Sequence, residues 1–164
     1  MNQYCVVVAN GTNARFFSLE DPDIPELQSG PNLVLQSDLN NSELSSHNQE
    51  LWTDSKSGGN RGHGGKSHGY DDHRSQHTDE IEKRFANSIA DECNRLRNGT
   101  YTHIVLVSPP RMLGHLRQAC DSNIQGVSTS SLAKDLNKMG PIDLHQHLSN
   151  NKLIPERRKP QLAS

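Results

Sequence analysis

Between Asp54 and His77 the chain carries six of its twelve glycines and four of its nine histidines, and Tyr70 is nearly alone there in being apolar. A stretch of this kind cannot bury enough apolar surface to offset the entropy of ordering it. A structureless loop longer than about 15 residues inside a domain is usually functional or disordered. Residues 55–77 are therefore predicted to be a flexible loop that interrupts the fold. The loop runs directly into a strongly amphipathic helix, so any working end of the protein is expected there.

The remaining sequence has to build the core. At 164 residues a single domain is expected, over 1–149, with 150–164 as a polar tail. Only 31% of residues are hydrophobic and mean hydropathy is −0.81, so the core must come from a few short segments. The formal net charge of −2 excludes bulk electrostatic attraction to nucleic acid or membranes, and any basic surface must be local. Cys5, Cys93 and Cys120 have no paired spacing and each lies in an apolar segment, which reads as small buried hydrophobes in a reducing compartment. The first residues show no basic leader, and no segment approaches the roughly 20 apolar residues of a membrane span. A cytoplasmic location is expected.

Periodicity places the elements. Tyr4–Ala9 and Ala14–Leu19 are β-branched or aromatic runs separated by a turn at Asn10-Gly11, the signal of a hairpin whose turn residues tolerate positive φ. Residues 33–39 form a third strand candidate, and 41–52 are only weakly periodic. Thr78 is the expected N-cap of the clearest helix, with Asp79 and Glu80 in its first turn. Ile81, Phe85, Ile89, Cys93 and Leu96 form its apolar stripe and Asn98-Gly99 its stop. Glu82, Lys83, Arg84, Asp91, Arg95 and Arg97 form a solvated face. The unbroken apolar run from His103 to Val107 predicts a central strand covered on both sides. Pro110 opens a helix that turns Leu113, Leu116 and Cys120 inward. A short strand over 126–132 and a helix from Pro141, with Leu144 and Leu148 inward, complete the order. The tail from Asn150 is polar, basic and proline-bearing, and is expected to fray. The result is an α/β fold, a mixed sheet of about five strands flanked by helices.

Two kinds of chemistry are open to the loop. Lys56, Arg61, Lys66 and Arg74, set against Asp71 and Asp72, leave it at +2. Such a loop can follow phosphates, with Tyr70 as a stacking group and Arg84, Arg95 and Arg97 extending the patch. His63, His68, His73 and His77 are spaced by five, five and four residues and are the metal-ligand candidates, although the spacing matches no tight ligand pair. No serine sits in a nucleophile elbow, and no phosphate loop or dinucleotide fingerprint is present. No cofactor is expected. His115, His145 and His147 read as surface residues.

Several segments together resemble the bacterial host-attachment protein family. They are Val-Val-Val-Ala-Asn-Gly-Thr-Asn-Ala-Arg-Phe-Phe (6–17), the helix containing Phe85-Ala86, Ile-Val-Leu-Val-Ser-Pro-Pro-Arg-Met-Leu-Gly-His-Leu-Arg (104–117) and Lys134-Asp135-Leu136. The resemblance covers nearly the whole chain. Asn10 departs from it, standing where an acidic residue is expected: asparagine keeps the turn and removes the charge. The resemblance implies a fold similar to the middle domain of eukaryotic and archaeal peptide release factors and of Pelota. There a Gly-Gly-Gln loop before a long helix reaches the peptidyl-tRNA ester. Gly64-Gly65-Lys66 occupies the equivalent place, with lysine where glutamine is expected.

These readings imply a non-enzymatic protein that binds the ribosome or RNA, tRNA included, through the Gly-rich loop and the following helix. The alternatives are a peptidyl-tRNA esterase using Gly64, Gly65 and Lys66, and a protein-interaction module whose loop orders on a protein partner. No membrane partner is expected.

Overall fold

A computed structural model describes residues 3–44, 67–97 and 101–160. Along the chain come β1 (Tyr4–Ala9), β2 (Asn13–Glu20), β3 (Asn32–Asn40), α1 (Ser67–Arg97), β4 (His103–Ser108), α2 (Pro110–Asn123), β5 (Ser128–Ala133) and α3 (Pro141–Asn150). The strands form one sheet in the order β3-β2-β1-β4-β5. The first three pair antiparallel, whereas β1–β4 and β4–β5 are parallel. The mixed five-stranded sheet is thus as expected, with β4 inside it.

Alternation along the strands divides the core in two. Val7, Phe16, Ile104 and Leu106 face α1 and α2, joined there by Phe85, Ile89, Leu113 and Leu116. Val6, Val8, Phe17, Val105 and Val107 face the opposite side, where Leu144 and Leu148 of α3 cover them. All three cysteines are buried in the first of these layers. A hydrogen bond with Cys5, and then burial, raises the Cys93 thiol well above its ordinary range. Burial pushes Cys120 up to about 11. Both stay protonated at neutral pH and pack as small hydrophobes.

The hairpin turn forms for a different reason from the one its sequence suggests. Asn10 Oδ1 accepts hydrogen bonds from the backbone N–H groups of Thr12 and Asn13 and from Thr12 Oγ1, each at 2.9 Å. Neither Asn10 nor Gly11 has positive φ. The side-chain oxygen organises the turn, and asparagine supplies that oxygen without a charge.

Two segments depart from expectation. Helix α1 begins at Ser67, eleven residues before Thr78, inside the stretch expected to be loop. No proline interrupts 67–97, and once the stripe from Ile81 onward is packed, each residue added upstream gains a hydrogen bond without a new nucleus. Thr78, Asp79 and Glu80 are therefore interior helical residues. The stop at Asn98-Gly99 lies outside the described residues.

The described part of the tail, through Pro160, is docked, not frayed. Ile154 is buried beside Val6, Leu144 and Leu148. Arg158 and Gly30 exchange two backbone hydrogen bonds of 3.1 and 2.7 Å, and Arg157 Nε donates to Asn32 Oδ1 at 2.8 Å. A Cβ on Gly30 would lie 2.3 Å from Pro22 Cδ, so the approach needs glycine. Ile154, with the partly buried Leu153 against the same layer, supplies the apolar contact of this polar tail.

His145, read from sequence as a surface residue, is only 2% exposed. It lies on the inward face of α3, and its Nε2 is 2.8 Å from the carbonyl oxygen of Pro155. A carbonyl only accepts, so Nε2 carries the proton. Burial lowers the pKa of His145, and the Arg157 charge adds to this against the opposing effect of the Pro155 bond. The folded state thus binds this proton less readily than the unfolded chain does. Stability is expected to fall as pH drops below about 6.5, with a slope of at most about 1.4 kcal/mol per pH unit from this group. Chemical denaturation of the wild type and His145→Gln between pH 5 and 7.5 should show a shallower acid limb in the variant. Parallel profiles would show that His145 titrates alike in both states.

Candidate functional site

Because β1 and β4 are parallel and adjacent, their carboxyl ends open on the same edge of the sheet. In open α/β sheets that edge is where ligand sites form. Here it is covered by the Asn10–Thr12 turn, by α1 at the level of Asp79 to Glu82, and by the first turns of α2.

Four charged or titratable side chains meet there. Asp79 and Glu82 lie one helical turn apart on α1, and Arg111 and His115 lie one turn apart on α2. His115 Nε2 is 2.7 Å from Asp79 Oδ1. Arg111 Nε is 3.3 Å from the same oxygen and 3.0 Å from Glu82 Oε1. An ionised carboxylate only accepts, so His115 donates through Nε2. The His115 hydrogen bond, with help from Arg111, holds the Asp79 carboxyl below its ordinary range. Glu82 and His115 side chains are 13% and 15% exposed, against about half for Asp79 and Arg111.

Glu82 is the most constrained of the four. A Cβ on Gly11 would lie 2.6 Å from Glu82 Oε2, so glycine lets the turn close over the carboxylate. The other oxygen, Oε1, is sealed from solvent and accepts no hydrogen bond, although Arg111 Nε is near it. The ion pair is close but poorly aligned. One donor atom each from Asp79, Glu82 and His115 lie within 4.8 Å of one another, the geometry of a possible metal-ligand group.

The sequence singles out none of these four as a site residue: it offers Asp79 as a helix-start signal, and Glu82 and His115 as exposed faces. The available signal was the pair of one-turn spacings, Asp79 to Glu82 and Arg111 to His115. What the sequence lacks is any mark that the two faces confront each other.

The sequence candidates lie elsewhere. Lys56, Arg61, His63, Gly64, Gly65 and Lys66 are outside the described residues, so the tripeptide behind the esterase reading has no described geometry. His68, His73 and Arg74 lie on the first turns of the α1 backbone. His77 is exposed on the same helix. Arg84 pairs with Glu43 at 2.6 Å, both half exposed. Arg95 pairs with Glu92 at 2.6 Å, and Arg97 donates to the carbonyl oxygen of Gln125. The arginines beyond the loop are thus each engaged locally. A cavity of about 600 Å³ opens at the other end of the sheet, beside Tyr4, Pro31 and Pro155, and contains none of the candidates.

Among the described residues, no helix is long and apolar enough to cross a membrane. A family model described as protein required for attachment to host cells matches residues 5–148. No curated protein matches the chain.

Proposed function

The chain belongs to the family of proteins required for attachment to host cells, and within that family we propose that it is a non-enzymatic, cytoplasmic factor that binds the ribosome or its RNA. It does so through the Gly-rich stretch and the start of α1. In this reading the attachment in the family's description is an indirect consequence of an effect on translation.

The observation that carries the reading is the length of α1. Its 31 residues span about 46 Å. Among residues 76–97, whose burial is described, the buried stripe begins at Ile81, and the backbone from Ser67 to Ile81 adds about 20 Å of continuous helix before it. Those turns hold Arg74, His68, His73 and His77, and directly precede them in sequence are Lys56, Arg61 and Lys66. A continuous helix is thus the mount for a glycine-rich, cationic segment, which suits a phosphate backbone. The layout is also the one that resemblance to the release-factor middle domain implies. Arg84 can join the contact, because a solvent-exposed pair such as Arg84–Glu43 is weak and yields readily to a phosphate.

Co-sedimentation with ribosomes across a salt series tests this. The wild type is expected to bind at low salt and to release as salt rises. Replacing Lys56, Arg61, Lys66 and Arg74 together with alanine should flatten the log–log salt slope by about 3, from roughly 0.7–0.9 per phosphate contact. Peptidyl-tRNA should survive incubation with the protein. Absence of binding even at low salt would remove the proposal, and hydrolysis lost in Gly65→Ala would make the protein an esterase instead.

A further inference from the structure

We propose that Asp79, Glu82 and His115 form a binding site for a divalent first-row cation that clamps α1 to α2 at the carboxyl edge of the sheet. Arg111 stands in for that cation when the metal is absent.

The donor set is one imidazole and two carboxylates, which suits zinc or manganese. Metal–ligand bonds of about 2.0–2.2 Å set the donors of one ion roughly 3–4 Å apart. The three donor atoms already lie within 4.8 Å of one another, so small rotations would close them around an ion once the His115 ring proton, now given to Asp79 through Nε2, sits on Nδ1 and leaves Nε2 as the ligand. They project from two helices packed on the same sheet face, which fixes their backbone positions. With His115 neutral, two carboxylates face one guanidinium, and the cluster keeps a net negative charge.

Glu82 has an ion-pair partner at Oε1 but no hydrogen bond there. That oxygen is sealed from solvent, 3.0 Å from Arg111 Nε and poorly aligned with it, while Gly11 closes over Oε2. A buried carboxylate oxygen without a hydrogen bond carries a desolvation cost. Arg111 is close enough to compensate its charge but does not bond it. A cation ligated by that oxygen would satisfy it. Arg111 is half exposed.

Glycine-bordered histidines elsewhere in the chain can capture metal adventitiously. The test therefore uses the full chain carrying His63→Ala, His68→Ala, His73→Ala and His77→Ala, titrated calorimetrically with Zn²⁺ and with Mn²⁺. One ion per chain is expected. Glu82→Gln and His115→Ala should each weaken binding about tenfold or more, and Asp79→Asn, at a half-exposed position, serves if Glu82→Gln does not fold. Arg111→Ala should tighten binding, because it removes the competing cation and leaves the ligands. If Arg111→Ala takes up neither metal at one per chain, or if binding is unchanged in Glu82→Gln, Asp79→Asn and His115→Ala, the proposal is overturned and the cluster is an ion-pair latch only.

Discussion

Replacing either Phe16 or Phe17 with alanine is expected to lower stability by about 3–5 kcal/mol. Neighbouring residues on a strand point to opposite faces of the sheet, so in a sheet with one wet face one of the two would be cheap to remove. Here Phe16 packs under α1 and α2, and Phe17 packs under α3. Neither is more than 1% exposed. The neighbours of each come from rigid elements that cannot collapse far into the space an alanine leaves. With an m value near 2 kcal/mol per M, the urea midpoint should drop by about 2 M for each variant. That is a large share of the roughly 5–15 kcal/mol available to a domain. A loss under about 1 kcal/mol at Phe17 alone would mean that α3 and the tail do not cover their face.

Two-sided burial leaves a local mark in the sequence at one strand: the unalternating run from His103 to Val107 signals a strand covered on both faces, while the β-branched run from Tyr4 to Ala9 signals a strand only. The spacing of Ile81, Phe85, Ile89 and Cys93 signals the packed part of α1. Prolines at the first positions of α2 and α3 mark where they begin.

Features set by long-range geometry left no such mark. The extra turns of α1 are polar and have no stripe, so periodicity is silent on them, and cooperative propagation from the packed half decides the outcome. The meeting of Asp79 and Glu82 with Arg111 and His115 depends on how two helices cross the same sheet. Gly11 looks like a turn residue in sequence, yet its structural role is to make room for Glu82. His145 flanks inward-facing Leu144, and its burial follows from the return of the tail across α3.

The tail is the sharpest test of how that last segment is held, because a frayed tail and a docked one predict opposite results. Ile154→Ala is expected to cost about 2–5 kcal/mol, the range for deleting buried Ile or Leu side chains. Among the described residues of the segment Ile154 is the buried apolar one, and it joins the core formed by Val6, Val8, Leu144 and Leu148. Losing it also loosens Pro155, whose carbonyl is the partner of His145. Arg158→Ala should change stability by no more than about 0.5 kcal/mol, because Arg158 meets Gly30 through its backbone N–H and carbonyl. Alanine keeps both groups. Thermal or urea unfolding of the two variants beside the wild type separates the cases. A large loss at Ile154 with none at Arg158 identifies apolar burial as the anchor and the backbone ladder as what sets the register. Two silent substitutions would return the segment to a frayed end. A large loss at Arg158 would shift the anchor to its side chain, at the rim of the cavity beside Pro31 and Pro155.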